Sequence, residues 1–477
     1  MGRAALLAAC LCVAANPVAG QDAPIDGNDF AIDAVATPVL ASSRITGLAG
    51  AYTALAEGID GVPWNPASYA SRSLWELDVL EYDLTASVLF SGSFASNDYF
   101  LNGRGQGFGI ENFVFADVGA RLQYGPIGGG VTLQAQFYDV PSDDGAPAAS
   151  VSLVSIHGGG GYGLFDGQLV VGGGARAVIF DTSILGAEEA FSLQGAGLEV
   201  GSVFRHERLP FRVGAAFRTP VRSQVVTDDE MTDVPRQVAG LWRPRAVGLP
   251  WEVQVGGALQ IGPRPLNRRF RPKKDLARGL RAELRHRQCE REREQVRREL
   301  EARSEPVPEL RCPRLRVRAR DRAWREAERQ RVREEKLRME EAIEIAEASV
   351  DDLWAELYEA MPRRHLLVSV DLHLLGPVED AVGIDAFLEQ TRRTRGDRWT
   401  TTFRLGVEGE PWPHRLKLRV GAYVEQPRYR GVTPRVHGTA GFDLRLFPLF
   451  GRQWRATFVV DGARDYVSWG VSVGVWH

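Results

Sequence analysis

Apolar and polar residues alternate along this chain in run after run of about ten residues. From Trp251 the residues Trp251, Val253, Val255, Leu259 and Ile261 share one parity, while Glu252, Gln254 and Gln260 share the other. A repeat of two is the side-chain period of a β-strand with one apolar and one polar face. Trp399 to Val407 and Leu416 to Val424 repeat the pattern and form a predicted hairpin across Pro411 to His414. Further runs cover Phe113 to Tyr124, Ile127 to Val140, Val151 to Phe165, Gln168 to Asp181, Phe191 to Arg205 and Phe211 to Val225. Four more cover Leu366 to Leu375, Arg435 to Phe447, Gln453 to Asp461 and Tyr466 to Trp476, and one follows Leu74. That makes about fourteen strands in all. Glycine, at 51 of 477 residues without a three-residue period, fits a strand-and-turn architecture and not a collagen-like one.

A soluble sandwich would show the same alternation, so run length has to decide. Many runs reach the roughly ten residues that a tilted strand needs to cross a bilayer, whereas soluble strands average about five or six. Trp251, Trp399, Trp412, Trp454, Trp469 and Trp476 fall near run ends, where an aromatic girdle meets lipid headgroups. Short connections (125–126, 166–167, 206–210, 411–414, 448–453) alternate with longer ones (141–150, 182–190, 226–250, 378–398, 426–434), as periplasmic turns and extracellular loops do. No mature stretch offers the roughly 18 uninterrupted apolar residues of a membrane helix. A formal net charge of -3 excludes a basic nucleic-acid binder.

Arg3, the apolar run Ala4 to Ala15 and the small residues Val18-Ala19-Gly20 predict a cleaved secretory signal over residues 1–20, and hence export. Leu7 to Cys10 looks like a lipoprotein box, but the apolar run before the cysteine is too short for one. With the signal gone, Cys289 and Cys312 are the cysteines left, a candidate disulfide in an oxidising compartment.

Residues 263–363 are of a different kind. Period two disappears and both charges are dense; Ile343, Ala346, Val350, Leu353, Leu357 and Met361 recur at helical spacing. An earlier helix is expected over about 274–303, and Pro306, Pro308 and Pro313 break the pattern, so the insert reads as a charged helical hairpin. Counting connections back from a periplasmic C-terminus puts it on the periplasmic side. It is either a solvated arm or a docking arm for a periplasmic protein partner.

Ser43 to Gly58, followed by Val62-Pro63-Trp64-Asn65-Pro66-Ala67, resembles the N-terminal segment of the FadL-like outer-membrane superfamily, most closely in Ala49-Gly50-Ala51-Tyr52 and in Asn65-Pro66-Ala67. That group includes long-chain fatty-acid and hydrocarbon transporters and PorV/PorQ-type proteins. The resemblance implies an all-β fold: an antiparallel transmembrane barrel of about 14 strands with an N-terminal plug over 21–72 and, in this chain, the α-helical periplasmic insert. The barrel would then occupy 73–262 and 364–477. It also implies that Gly50, Tyr52, Trp64, Asn65 and Pro66 belong to a plug that either gates or fills the lumen. A charged arm of this size departs from the family pattern.

No catalytic constellation, metal-ligand spacing or cofactor motif stands out, and the chain is not expected to be an enzyme. The stretch Gly158 to Gly161 with Gly172 to Gly174 lacks the ending of a phosphate loop and reads as lumen clearance or strand bending. Arg404, Glu408, Arg415, Lys417 and Arg419 share the polar parity and are expected to face the lumen and pair there. The expected function is binding or transport of hydrophobic compounds, fatty-acid-like or hydrocarbon-like, across the outer membrane past a movable plug. The alternative is a PorV-like scaffold or shuttle for exported proteins, with the insert as partner-binding arm.

Overall fold

The computed structural model describes residues 23–74, 79–91, 97–104, 113–140, 149–184, 187–225, 237–238, 240–267, 362–450 and 452–476, with single helical positions between 282 and 344. The signal segment, Cys289, Cys312 and His477 lie outside the described residues. The chain divides into two compact units, one of residues 1–74, 80–269 and 363–477, the other of 75–79 and 270–362.

The first unit is a closed barrel of 14 antiparallel strands. In chain order these are β1 (Leu80–Ser91), β2 (Phe113–Tyr124), β3 (Ile127–Val140), β4 (Ala149–Leu164), β5 (Leu169–Ile184), β6 (Ala187–Phe204), β7 (Phe211–Arg218), β8 (Glu252–Ile261), β9 (Leu366–Leu375), β10 (Thr400–Trp412), β11 (Leu416–Glu425), β12 (Arg435–Leu449), β13 (Arg452–Ala463) and β14 (Tyr466–Val475). Each pairs with the next, and β14 closes on β1 with Ser472 opposite Ser87. Closure leaves no sheet edge, which a bilayer demands of any strand architecture.

Burial runs opposite to that of a soluble protein. On β8, Gln254 and Gln260 are buried while Val255 (45%), Leu259 (45%) and Ile261 (58%) are exposed. The same holds on β10 and β11, where Phe403, Leu405, Leu418 and Val420 point out and Arg404, Glu408, Lys417 and Arg419 point in. An apolar exterior around a polar lumen is the arrangement of a membrane barrel. Of the tryptophans, Trp399 and Trp412 are exposed, as a girdle requires. Trp476 is not: it is buried, with the Lys417 ammonium 4.6 Å from its ring centre, because its even position shares the inward parity of Ser468 and Ser472.

Two other expectations need correction. Arg415 is exposed, since it lies in the turn before β11, where the parity of the strand no longer applies. The run Phe211 to Val225 is broken after Arg218: Pro220, with no N–H to donate, ends the strand, and Val221–Arg222 joins a second, small sheet. In that sheet Ala31–Asp33 pairs in parallel with both Ala246–Leu249 and Ala381–Gly383. It sits on the long connections, at what we call the loop end; the turn end carries Gly125-Pro126 and also the ends of β8 and β9, Ile261 and Leu366.

In the second unit the described residues between Ala282 and Ala302 and between Arg333 and Glu344 are helical. Their faces carry exposed pairs four residues apart, Arg297–Glu301 at 2.9 Å and Arg298–Glu294 at 3.3 Å, each worth only a few tenths of a kcal/mol (about 0.3–0.5).

Candidate functional site

The N-terminal segment threads the barrel from the loop end to the turn end. It begins at the small sheet, where buried Asp33 pairs with Arg395 at 3.1 Å and Arg428 at 2.6 Å. The Val39 N–H donates to the Tyr423 hydroxyl on the wall at 3.2 Å. A short helix over Ser43–Gly47 and two 3₁₀ turns, Ile59–Gly61 and Pro66–Ala70, follow, all buried. At the turn end Arg121 of β2 donates to the Ser68 and Ser71 carbonyls, both at 2.8 Å, and Arg205 donates to Ser71 Oγ and the Arg72 carbonyl, both at 3.2 Å.

The residues singled out in the sequence are brought together in the middle of this path. Gly50 takes a positive φ of 75°, and its carbonyl accepts from the Trp64 indole at 2.9 Å. The backbone N–H groups of Tyr52 and Thr53 both donate to Asp371 Oδ2 on β9, at 2.9 and 2.8 Å, while the Tyr52 hydroxyl donates to the Glu57 carbonyl. Asn65 has no exposed surface; its amide donates to the carbonyls of Thr53 (2.8 Å) and Ser202 (3.0 Å), and its oxygen accepts from the Ala67 N–H (3.0 Å). Asn65 thus caps the 3₁₀ turn that Pro66 opens and ties it to β6. That turn lies directly on the wall because Gly172 and Gly201 leave room: a Cβ at Gly172 would collide with the Pro66 carbonyl, and one at Gly201 with the Asn65 side chain.

Charges form a ladder between segment and wall. Glu57 pairs with Arg212 at 2.7 Å and Arg44 at 3.1 Å; Arg44 also reaches Glu408, at 3.7 Å. Glu408 pairs with Arg419 at 2.6 Å, Arg419 with Asp443 at 2.5 Å, Asp443 with Arg455 at 3.2 Å, and Arg455 returns to the segment at Asp60, 2.7 Å away. Of the predicted lumen charges, Glu408 and Arg419 belong to this ladder; Arg404 instead meets His373 at 2.9 Å, and Lys417 covers Trp476. Burial disfavours an ionised Glu57, yet the Arg212 and Arg44 guanidiniums hold its carboxyl well below the usual carboxylate range. Sequence reading missed Arg44, Glu57, Asp60, Asp371, Asp443 and Arg455. The inward parity of Asp371, Asp443 and Arg455 was a usable signal; for the three in the segment, the only one was charge in a stretch of small residues.

At the loop end the lumen changes character. The inward positions of β1 to β6 become apolar there: Leu89, Phe113, Phe115, Tyr138, Leu153 and Phe180 are buried in one cluster. Tyr99 and Phe100, from the connection between β1 and β2, enter the same cluster, with Tyr99 4.4 Å from Phe113 and Phe100 5.8 Å from Tyr138, ring centre to ring centre. The short helix Ile384–Leu388 covers it with Ile384 and Phe387. Its Asp385 accepts from Asn102 at 2.7 Å and from the Tyr429 hydroxyl, which ties three loop-end connections together. Among the described residues no group of histidine, cysteine or carboxylate side chains could hold a metal ion.

No family model matches the chain, and no curated protein matches it. Solved structures similar to it include the CymD monoaromatic hydrocarbon channel (9% identity, 91% of this chain and 96% of that chain, TM-score 0.47). Others are a FadL homologue from Pseudomonas aeruginosa (10% identity, 92% and 99%, TM-score 0.46) and the Pseudomonas putida toluene transporter TodX (9% identity, 94% and 99%, TM-score 0.44).

Proposed function

We propose that this chain is an outer-membrane channel that takes up hydrophobic compounds in the apolar compartment at its loop end and releases them past the N-terminal segment. The observation that carries the reading is the division of the lumen. Inward positions on β1 to β6 are aromatic and aliphatic at the loop end, whereas paired charges gather on the inward faces of β10 to β13. A barrel that only needed filling has no use for a separate aromatic cluster capped by its loop-end connections, whereas ligand sites are predominantly apolar and few. The resemblance of Ala49 to Tyr52 and Asn65 to Ala67 to the FadL-like plug supports the same reading.

In this mechanism a compound enters by displacing the Tyr99 and Phe100 rings, and leaves as the segment around Asn65 shifts locally. Wholesale ejection of the segment would break the Glu57, Asp60 and Asp371 anchors together, so a local shift at the Asn65 cap is the less costly motion. The test is uptake of a labelled hydrophobic compound by cells with and without the chain, with the second unit deleted over 270–361 as a third sample. Uptake that depends on the chain and survives the deletion is expected. Uptake unchanged by loss of the whole chain would overturn the reading.

A further inference from the structure

We propose that the outer wall over β8 to β12 holds one anionic phospholipid, an acyl chain lying in a groove across the strands and the phosphate on Arg364 and Arg415. The inference stands on the wall and not on the channel reading above. Outward residues of a membrane barrel meet lipid everywhere, so a site needs a shape and a charge that set one part of the wall apart. The shape comes from small residues. Gly257 on β8 and Ala422 on β11 lie among the exposed side chains of Val255, Phe403, Leu405 and Val436 and leave an apolar hollow of about 540 Å³. A Cβ added at Gly257 would meet only Val370, at 3.8 Å, and one at Gly438, opposite Ala422 in the register, would meet nothing within 4 Å. A second hollow of about 460 Å³ adjoins the first toward the turn end, where Val407 follows the outward Leu405 and Val420 precedes the outward Ala422. Each has the volume of a small-molecule site, roughly 300–1,000 Å³. Together they run along β9 from Leu366 to Leu372, about 20 Å of strand, which matches one acyl chain in a leaflet whose apolar layer is about 15 Å deep.

The charge sits at one end. Arg364 lines the hollow nearer the turn end, and Arg415 lies in the adjacent turn between β10 and β11; both are exposed, and neither has an ion-pair partner among the described residues. The exposed Trp412 of the same turn places that end at the level of the lipid headgroups. Glu410 shares the lining but is buried, and its carboxylate accepts from the His414 N–H at 2.7 Å. A chain lying in the hollows therefore brings its phosphate to two guanidiniums, whose planar donors suit phosphate oxygens. A headgroup that carries its own ammonium brings a like charge to the same arginines and gains less.

The test adds phosphatidylglycerol or phosphatidylcholine, with the same palmitoyl and oleoyl chains, to the delipidated full-length protein in mild detergent and counts bound lipid by native mass spectrometry. One phosphatidylglycerol per barrel is expected to bind about tenfold more tightly than phosphatidylcholine, a difference of about 1.4 kcal/mol. That is within what two arginines contribute near a lipid surface. Arg364→Gln combined with Arg415→Gln should abolish the preference. Ala422→Phe should fill the groove and weaken both lipids, with Gly257→Leu as the second filling variant should the first fail to fold. Val118→Phe, at an exposed position on β2, should change neither lipid. Equal affinity for the two lipids in the unaltered protein overturns the proposal, as does binding that both filling variants leave untouched. A lipid-free dimer that Ala422→Phe separates also overturns it, and gives this wall to a second copy of the chain.

Discussion

Asp60 in the N-terminal segment and Arg455 on β13 meet at 2.7 Å with both side chains about 5% exposed, so a buried ion pair joins segment to wall. Arg455 also serves Asp443, and its removal leaves two carboxylates short of a partner. Arg455→Met should therefore destabilise the barrel by about 3–5 kcal/mol, as breaking one side of a buried pair does. Asp60→Asn in the same background should restore part of that loss. A double-mutant cycle read by thermal unfolding in detergent checks this; strict additivity would mean that the pair does not couple the two elements.

Asn65 is the point where the segment depends on one side chain for three hydrogen bonds. Asn65→Ala removes the hydrogen bonds to the Thr53 and Ser202 carbonyls and to the Ala67 N–H, and each group left buried without a partner costs about 1–3 kcal/mol. Amide exchange should quicken across residues 65–70 while the strands keep their protection. Protection lost equally in β10 to β13 would show that Asn65 supports the whole barrel and not a local cap.

Gly172 and Gly438 form a matched pair for testing how closely the segment lies on the wall. A methyl at Gly172 runs into the Pro66 carbonyl, whereas nothing lies within 4 Å of one at Gly438. Gly172→Ala should lower stability by about 1–3 kcal/mol through overpacking, and Gly438→Ala should leave it nearly unchanged. Equal melting temperatures for the two variants would contradict the close approach.

Much of this fold was legible because strand parity is a local property. Once Val255 and Gln254 were assigned to opposite faces, the inside and outside of β8 followed, and the same step placed Glu408, Lys417 and Arg419 in the lumen. The step fails beyond a strand's end, which is why Arg415 was misread; Trp476 was misread for the opposite reason, a girdle position being assigned from its place near a run end against its inward parity. The small sheet gave no signal at all: Ala31–Asp33 is three residues long, too short for a period to show, and its partners begin at Ala246 and Ala381, more than two hundred residues away. The glycine at 172 was recognisable as clearance, but what it clears, the Pro66 turn, depends on a register that only the closed barrel sets.

Glu57 gives the barrel a predictable acid sensitivity. Its carboxyl titrates lower in the folded chain than the roughly 4.3 of a free glutamate, because Arg212 and Arg44 flank it with Arg264 nearby. A depressed carboxylate contributes stability that is fully present above the unfolded value and is lost as pH falls through the folded one. Melting temperature should therefore drop below about pH 4.5 more steeply in the unaltered protein than in Glu57→Gln, and the two curves should converge in acid. Parallel curves would show that Glu57 carries no linked proton.

Asp385 and Phe100 control access to the apolar cluster at the loop end. Asp385 holds the helix Ile384–Leu388 to Asn102 and Tyr429, and Phe100 packs against Tyr138 in the apolar cluster. Asp385→Ala removes the tie, and Phe100→Ala removes the resident ring, so each lowers what a ligand must displace to enter. Truncating Phe100 should cost about 3–5 kcal/mol of stability, as other large buried aromatics do. It should also raise the association rate of a neutral probe such as methyl laurate, since losing the ring opens space in the cluster beforehand. Asp385→Ala should raise that rate with a smaller loss of stability, because its bonds join connections at the barrel mouth and not the wall. Stopped-flow measurement of probe association by both variants checks the pair. If both bind more slowly than the unaltered protein, these residues build the binding surface and do not cover it.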